Sequence, residues 1–472
     1  MRSARILLGI ASLLSVSVSR ADVITDWNAL MRQTFAAEAS SATPPVNSRT
    51  MGMMGGAMFD AVNSVNRNYN SYLGYFDPAT SGIGIDMDAA AATAAYQVMT
   101  SIYTDLYGAG NSHQSNFTNL YNSHMAAIAD GTDKTRGIEV GAAAAAAMIA
   151  ARASDGWNAT PTYSPQPLGS VGRWQPGSTP GAWGASTGTF LKSHWGNVTP
   201  FTLNSSSQFR PDGPTGLNGT TPADYAAWVQ SASYTAEFNQ VKNYGGNSSS
   251  LRTADQTVIA YFWVDGPGTA SPPGHWNRIA QSISASAGLN IEENARLFAL
   301  LNLAEADVGI ATWEAKVFYD TWRPMIAINT ADTDGNPDTL VDAAWTPLIP
   351  TPSFGAYTSG HSAFSMAAAT ILAEFFGTDD IAFTTDSESP FLPAGYTRSY
   401  SSFSQAAEEA GLSRIYGGIH WQSDNEDGAL LGESVANYTF NNFLLPVPEP
   451  AGVLLLGSAM LWMGSRRRKT VA

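Results

Sequence analysis

The sequence predicts an all-α protein. Three observations carry that expectation: alanine-rich apolar periodicity over residues 24–66 and 84–155, one long periodic segment with acids in its first turn, and few alternating, strand-like runs. In order along the chain, DAAAATAAYQVMTSIYTDLY and VGAAAAAAMIAARASDGW read as helices, because alanine loses no side-chain entropy on helix formation. Residues 156–222, rich in Gly, Pro, Ser and Thr, break the pattern and read as a long irregular connection of the kind that tends to be functional. Helical periodicity resumes in DYAAWVQSASYTAEFNQVKNYG and TADQTVIAYFWVDG, and a Gly/Pro loop, GPGTASPPGHW, follows. The segment IEENARLFALLNLAEADVGIATWEAKVFYD is the long helix, its opening acids complementing the helix dipole. Two more helices are expected, roughly Gly360 to Phe376 and Ser404 to Asn442, the second interrupted at Gly417-Gly418. There is no internal repeat.

The 472 residues are enough for two or three average domains or one large one, and a composition 44% hydrophobic and 13% charged is that of a folded chain. Net charge is −15, and the arginines and lysine at the two ends leave the body between them more acidic still. Such a surface lacks the basic footprint that nucleic acid or an anionic membrane requires. It also makes each internal cation informative: between residues 261 and 440 the only ones are Arg278, Arg296, Lys316, Arg323, Arg398 and Arg414. Cysteine is absent, so folding in an oxidising compartment would proceed without disulfides.

Both ends carry targeting features. MRSARILLGIASLLSVSVSRA has a basic start, an apolar run and small residues before a cut after Ala21, which reads as an export signal over residues 1–21. At residues 447–472, a Pro-Glu-Pro triplet (Pro448, Glu449, Pro450) precedes an apolar stretch and the basic tail SRRRK. That stretch is shorter than the roughly 20 residues of a stable span. The arrangement resembles a PEP-CTERM sorting signal. The resemblance implies export and PEP-CTERM processing machinery as partners, transient anchoring at the inner membrane, and a final place on the cell surface or in the extracellular matrix of a Gram-negative bacterium.

Chemistry concentrates in three segments. In KVFYDTWRP, Lys316 and Arg323 are seven residues apart, two helical turns, which would put both on one helix face. In AYTSGHSAFSMAAATIL, Ser359, Gly360 and His361 open an apolar helix, where free N–H groups and the dipole suit an anion. In SRIYGGIHWQSDNEDG, Arg414 and His420 flank the Gly pair, and Asp424 follows His420 by four residues. Taken singly, each has an ordinary structural reading: a solvated face, a helix cap, a surface pair.

Their joint order, Lys-x6-Arg-Pro, Ser-Gly-His, Ser-Arg-x5-His-x3-Asp, resembles the signature of the superfamily of vanadium-dependent haloperoxidases and type 2 phosphatidic acid phosphatases. One position departs, Thr358 standing where proline is usual before Ser-Gly-His. The flanks WEAKVFYDTWRPMIAI and TPSFGAYTSGHSAFS are similar to the haloperoxidase branch, and the likeness is strong over about 261–445. It implies helical bundles of the haloperoxidase/acid phosphatase type, with 22–250 as a helical scaffold and 251–445 as the domain carrying the oxyanion site.

By resemblance, Lys316, Arg323, Ser359, Gly360 and Arg414 hold a vanadate bonded to His420, and His361 is the acid–base group. Asp424 either orients His420 or balances Arg414. Lys316 is also implied in catalysis, polarising peroxide while halide is oxidised. The partners implied are hydrogen peroxide and a halide. The alternative is an acid phosphatase with His420 as phosphoryl acceptor, a phosphate ester as substrate and no cofactor; a third reading is a surface protein with a degenerate site. Phe354, Trp322 and Trp263 are candidate walls of the halide pocket. His275 reads as a loop histidine, and Asp307 as a possible partner of a site arginine or a helix-surface acid.

Overall fold

The computed structural model describes residues 22–38, 43–76, 84–175 and 189–448. The expected export signal and nearly all of the sorting signal lie outside the described residues. The helices in chain order are α1 (Val23–Ala37), α2 (Pro44–Asn66), α3 (Met87–Tyr107), α4 (His113–Ala127), α5 (Thr132–Arg152), α6 (Pro222–Val229) and α7 (Ala232–Gly245). They continue with α8 (Ala254–Phe262), α9 (Ser271–Ala287), α10 (Ile291–Tyr319), α11 (Pro324–Asn329), α12 (Gly360–Phe376), α13 (Phe403–Tyr416) and α14 (Gln422–Asn442). Among the described residues the only sheet is an antiparallel hairpin, β1 (Phe383–Asp386) with β2 (Thr397–Tyr400), in which Phe383 faces Tyr400. The all-α expectation therefore holds.

Polar caps explain where several helices begin. Asp22, Asp86, Ser231 and Ser402 each accept a backbone N–H from the first turn of α1, α3, α7 and α13. Asn290 forms a capping box with Glu293 at the start of α10. Each cap of this kind is worth about 1 kcal/mol. The Gly/Pro loop is shorter than expected, because SPPGHW is already helix: α9 begins at Ser271 with Pro272 and Pro273 in its first turn. Prolines are tolerated there because first-turn N–H groups have no intrahelical partner. His275 is thus a helical residue, not a loop one.

α10 is buried on every side, without interruption from Leu297 to Trp313. A helix apolar all round belongs at the centre of a bundle. α2, buried from Pro45 to Val65, packs along it, and α12 and α14 cover another side. One hydrophobic core runs from Val23 to Leu444 and joins the N-terminal helices to the C-terminal ones. A second, aromatic cluster of Trp228, Tyr234, Phe238, Trp322 and Trp421 lies behind the turns that follow α10 and α13. No described helix is long and apolar enough to cross a membrane.

Candidate oxyanion site

The central helix carries Lys316 in its last turn and ends at Asp320, whose left-handed conformation (φ 47°) turns the chain. Arg323 therefore does not share a helix face with Lys316. It is the N-cap residue of α11 and approaches from a separate element. Lys316 is wholly buried, and its Nζ donates to the carbonyls of Gly355 (3.1 Å), Ala356 (3.0 Å) and Thr358. The loop that lacks the usual proline is in this way pinned by an ammonium.

Ser359 is the N-cap of α12, its Oγ accepting the Ser362 N–H, and Gly360 is the first helical residue, where a backbone N–H has no helical acceptor. The Ser359 N–H donates to the Asp424 carbonyl at 2.8 Å, which ties the start of α12 to α14. The approach is close enough that a Cβ on Gly428 would stand 2.7 Å from the Ser359 carbonyl oxygen, so only glycine fits. The Gly417-Gly418 pair has a similar reason. Gly418 (φ 78°) lies against the Gly245 backbone where a side chain would collide, and the turn it permits carries the chain from Arg414 to His420.

Arg323, Arg414 and His420 are all buried, at 0%, 1% and 3% exposure. Arg323 donates through Nε to the Phe354 carbonyl (2.9 Å) and through Nη1 to the Ile419 carbonyl (2.7 Å). Its Nη1 also reaches His420 Nε2 at 2.8 Å. Arg414 Nη1 donates to the Trp263 carbonyl at 2.9 Å. His420 Nδ1 lies 2.9 Å from Asp424 Oδ2, which also accepts the Trp421 N–H. A carboxylate at Nδ1 fixes the proton there and leaves Nε2 with its lone pair. Asp424 thus orients His420. The acid whose charge reaches Arg414 is instead Asp265, which also meets His275 Nδ1 at 3.1 Å.

The electrostatics follow from burial. Desolvation pushes the Arg323 and Arg414 guanidiniums down to about 9, and Lys316 well below its ordinary value, with Arg323 adding repulsion. Desolvation and the same cations hold His420 and His361 well below the usual imidazole range, so both are neutral at pH 7. Burial raises Asp424 to about 7 against the pull of the Trp421 N–H and Lys316. His361 bonds the backbone of Val264 and its Nε2 is enclosed without a partner. Arg323 Nη2 and Arg414 Nε are likewise enclosed donors without an acceptor.

Buried donors left unpaired cost about 1–3 kcal/mol each, so two of them beside an ammonium point to an anionic ligand. Planar guanidinium edges, a hydroxyl and a helix-start N–H suit the several oxygens of a tetrahedral oxyanion. The unpartnered His361 Nε2 lone pair suits an oxygen that keeps its proton, and the His420 Nε2 lone pair, which here accepts from Arg323 Nη1, suits the central atom. Of the residues expected from the sequence, Lys316, Arg323, His361, Arg414, His420 and Asp424 stand within electrostatic reach of one another, and Ser359 and Gly360 join them through the Ser359 N–H bond to Asp424. Phe354 faces this cluster, its ring 5.1 Å from Lys316 Nζ. Trp322 and Trp263 contribute carbonyls to the surrounding hydrogen bonds while their rings stay in the packed interior.

This architecture has known counterparts. Residues 296–446 match the family described as the VCPO second helical-bundle domain. A bacterial vanadium-dependent iodoperoxidase structure superposes with a TM-score of 0.72 at 27% identity, covering 90% of this chain and 97% of that one. The chain is a homologue of the vanadium haloperoxidases. A bacterial vanadium-dependent chloroperoxidase shares the fold of this homologue, with a TM-score of 0.65 at 17% identity over 91% of this chain and 98% of that one. The vanadium chloroperoxidase of Curvularia inaequalis is 29% identical over 231 residues. That alignment takes in 38% of this chain and 37% of the fungal protein.

Some residues of the haloperoxidase homologue's site were not foreseeable. Asp265 stands before Gly-Pro-Gly, a context that signals a turn and nothing more. Asp307 is neither an arginine partner nor a surface acid. It is fully buried and accepts the N–H groups of Phe201, Thr202 and Leu203, clamping the irregular connection onto α10.

Proposed function

We propose that this chain is an exported vanadium-dependent haloperoxidase that oxidises halide with hydrogen peroxide. The observation that carries the reading is the meeting of enclosed, unpaired arginine donors with the lone-pair nitrogen of His420, in a homologue of enzymes named for vanadium. The residues fit vanadate: His420 would hold it through Nε2, and Lys316, Arg323, Arg414, Ser359 and the Gly360 N–H would compensate its oxygens. When bound, vanadate supplies a Lewis-acid centre that activates peroxide without changing its own oxidation state.

The chain's own groups do the rest. Asp424 keeps the His420 proton on Nδ1. Lys316, held between three carbonyls, keeps a positive charge where negative charge would develop on a peroxide oxygen. His361, neutral and with Nε2 free, takes a proton from an incoming hydroxyl and returns it to the leaving oxygen. Phe354 and the packed interior keep bulk water from the cations. The net reaction moves two electrons from halide to peroxide and takes up one proton from solution: the O–O bond breaks, one oxygen leaves as water and the other departs with the halogen as hypohalous acid.

The test is purified protein loaded with vanadate and given peroxide with chloride, bromide or iodide, read by halogenation of a dye. Turnover with at least one halide is expected, and its absence with all three in fully loaded protein rejects the proposal. Vanadate-inhibited hydrolysis of a phosphate ester in place of peroxidase activity would assign the pocket to a phosphatase.

A further inference from the structure

Behind the loop that holds Lys316 and Arg323 lies a cleft of about 550 Å³, within the range of small-molecule sites. Trp157, Tyr163 and Phe190 line it with aromatic surface, and Lys192 stands at its wall. The cleft and the oxyanion site share a partition. The Leu191 N–H donates to the Ser353 carbonyl at 2.9 Å, and Ser353 Oγ donates to the Thr189 carbonyl at 2.8 Å. Trp313 Nε1 donates to the Leu191 carbonyl at 3.0 Å, and Tyr163 OH donates to Asp320 Oδ1 at 2.6 Å. The Phe190 ring approaches within 3.5 Å of where a side chain on Gly355 would begin, and Gly355 is one of the carbonyls on Lys316.

Lys192 is the unusual member of this lining. In a chain of net charge −15 it is half-buried, with no acid among the described residues close enough to pair with it. Desolvation alone acts on its ammonium, and lowers its pKa. Its backbone is left-handed (φ 57°), a conformation that is unfavourable for a residue with a side chain and free for glycine. A solitary cation held at that cost beside three aromatic rings matches one ligand chemistry: a flat ring with an acidic group.

We propose that this cleft binds the organic substrate, an electron-rich aromatic carboxylate, with its ring against Trp157, Tyr163 and Phe190 and its carboxylate on Lys192 Nζ. The inference rests on the haloperoxidase reading for what happens next. Hypohalous acid formed across the partition gives up its halogen to the ring: a carbon–halogen bond forms as the oxygen–halogen bond breaks. The ring then loses its proton, which leaves with the hydroxide as water.

Binding is separable from turnover, so the test omits peroxide and halide. Calorimetric titration of the full-length protein compares 4-hydroxybenzoate with the neutral 4-hydroxybenzamide, in the natural sequence and in Lys192→Met and Lys192→Arg variants whose thermal midpoints verify folding. The expected result is binding of the carboxylate at least tenfold tighter than the amide, a preference lost in Lys192→Met and kept in Lys192→Arg. Absence of binding, equal binding of the two probes, or a preference that survives in Lys192→Met overturns the proposal. Lys192-dependent binding in a protein that oxidises no halide supports the site and overturns only the proposed function.

Discussion

Asp424 shows how one side chain sets the chemistry of its neighbour. Its Oδ2 accepts from both His420 Nδ1 and the Trp421 N–H, so the carboxylate holds the imidazole ring and its tautomer together. An amide in its place offers an NH2 edge that can reverse the His420 tautomer and put the proton on Nε2, the atom the oxyanion needs. Asp424→Asn should therefore weaken vanadate binding about 10- to 100-fold, the usual loss when a ligand's supporting hydrogen bond is removed. Equilibrium titration with vanadate measures this, and an unchanged affinity would show that the pair is only structural. The four-residue spacing made a His420–Asp424 contact legible in the sequence. What that spacing left open was whether Asp424 served His420 or Arg414, because Arg414 lies across a turn whose path depends on Gly418 passing the Gly245 backbone.

At the level of elements, the site depends on α12 and α14 standing close together. Gly428→Val would drive a branched side chain into the Ser359 backbone, which has no freedom to yield because its N–H is bonded to Asp424. Overpacking of this kind costs about 1–3 kcal/mol; a denaturant melt should show that loss, together with weaker oxyanion binding as Ser359 and Gly360 shift. The start of α14 is held from outside by Glu237 of α7, which accepts the Ser423 N–H at 3.2 Å and its hydroxyl at 2.9 Å. Burial raises Glu237 to about 8, with repulsion from Asp424 adding to it. A carboxyl raised on folding favours the folded state fully below its unfolded value near 4.5, and that contribution is lost as pH rises towards 8. Between pH 5 and 8.5 the thermal midpoint of the natural protein should accordingly fall more than that of Glu237→Gln. Parallel curves for the two proteins would remove Glu237 as the source. The helices themselves were readable from periodicity and caps, down to the start of α12 at Gly360 and the break after Tyr416. The first turn of α9 was misread, because Pro-Pro-Gly signals a loop unless the prolines occupy the positions where a helix needs no N–H.

For the whole molecule, an oxyanion that binds only the folded state must stabilise it. At one hundred times its dissociation constant the gain is about 2.7 kcal/mol, enough to raise the melting temperature by a few degrees. Vanadate should produce that rise in the natural protein and a much smaller one in His420→Ala; an equal rise in both would place the bound anion elsewhere. The site can be so strongly charged yet so deeply enclosed because one core runs from Val23 to Leu444 around it, and the stability of that packing offsets the cost of desolvating the cations. The order of residues alone determined the helical class, the long helix α10, the start of α12 and the set of cations and histidines, since each depends on neighbours within a few positions. Tertiary structure alone decided that Arg323 reaches the pocket from α11 and not from the face of α10, that Asp265 stands by Arg414, and that Asp307 clamps residues 201–203. Those contacts join segments roughly 100 to 150 residues apart, and local patterns carry no information about which distant backbone will pack against them.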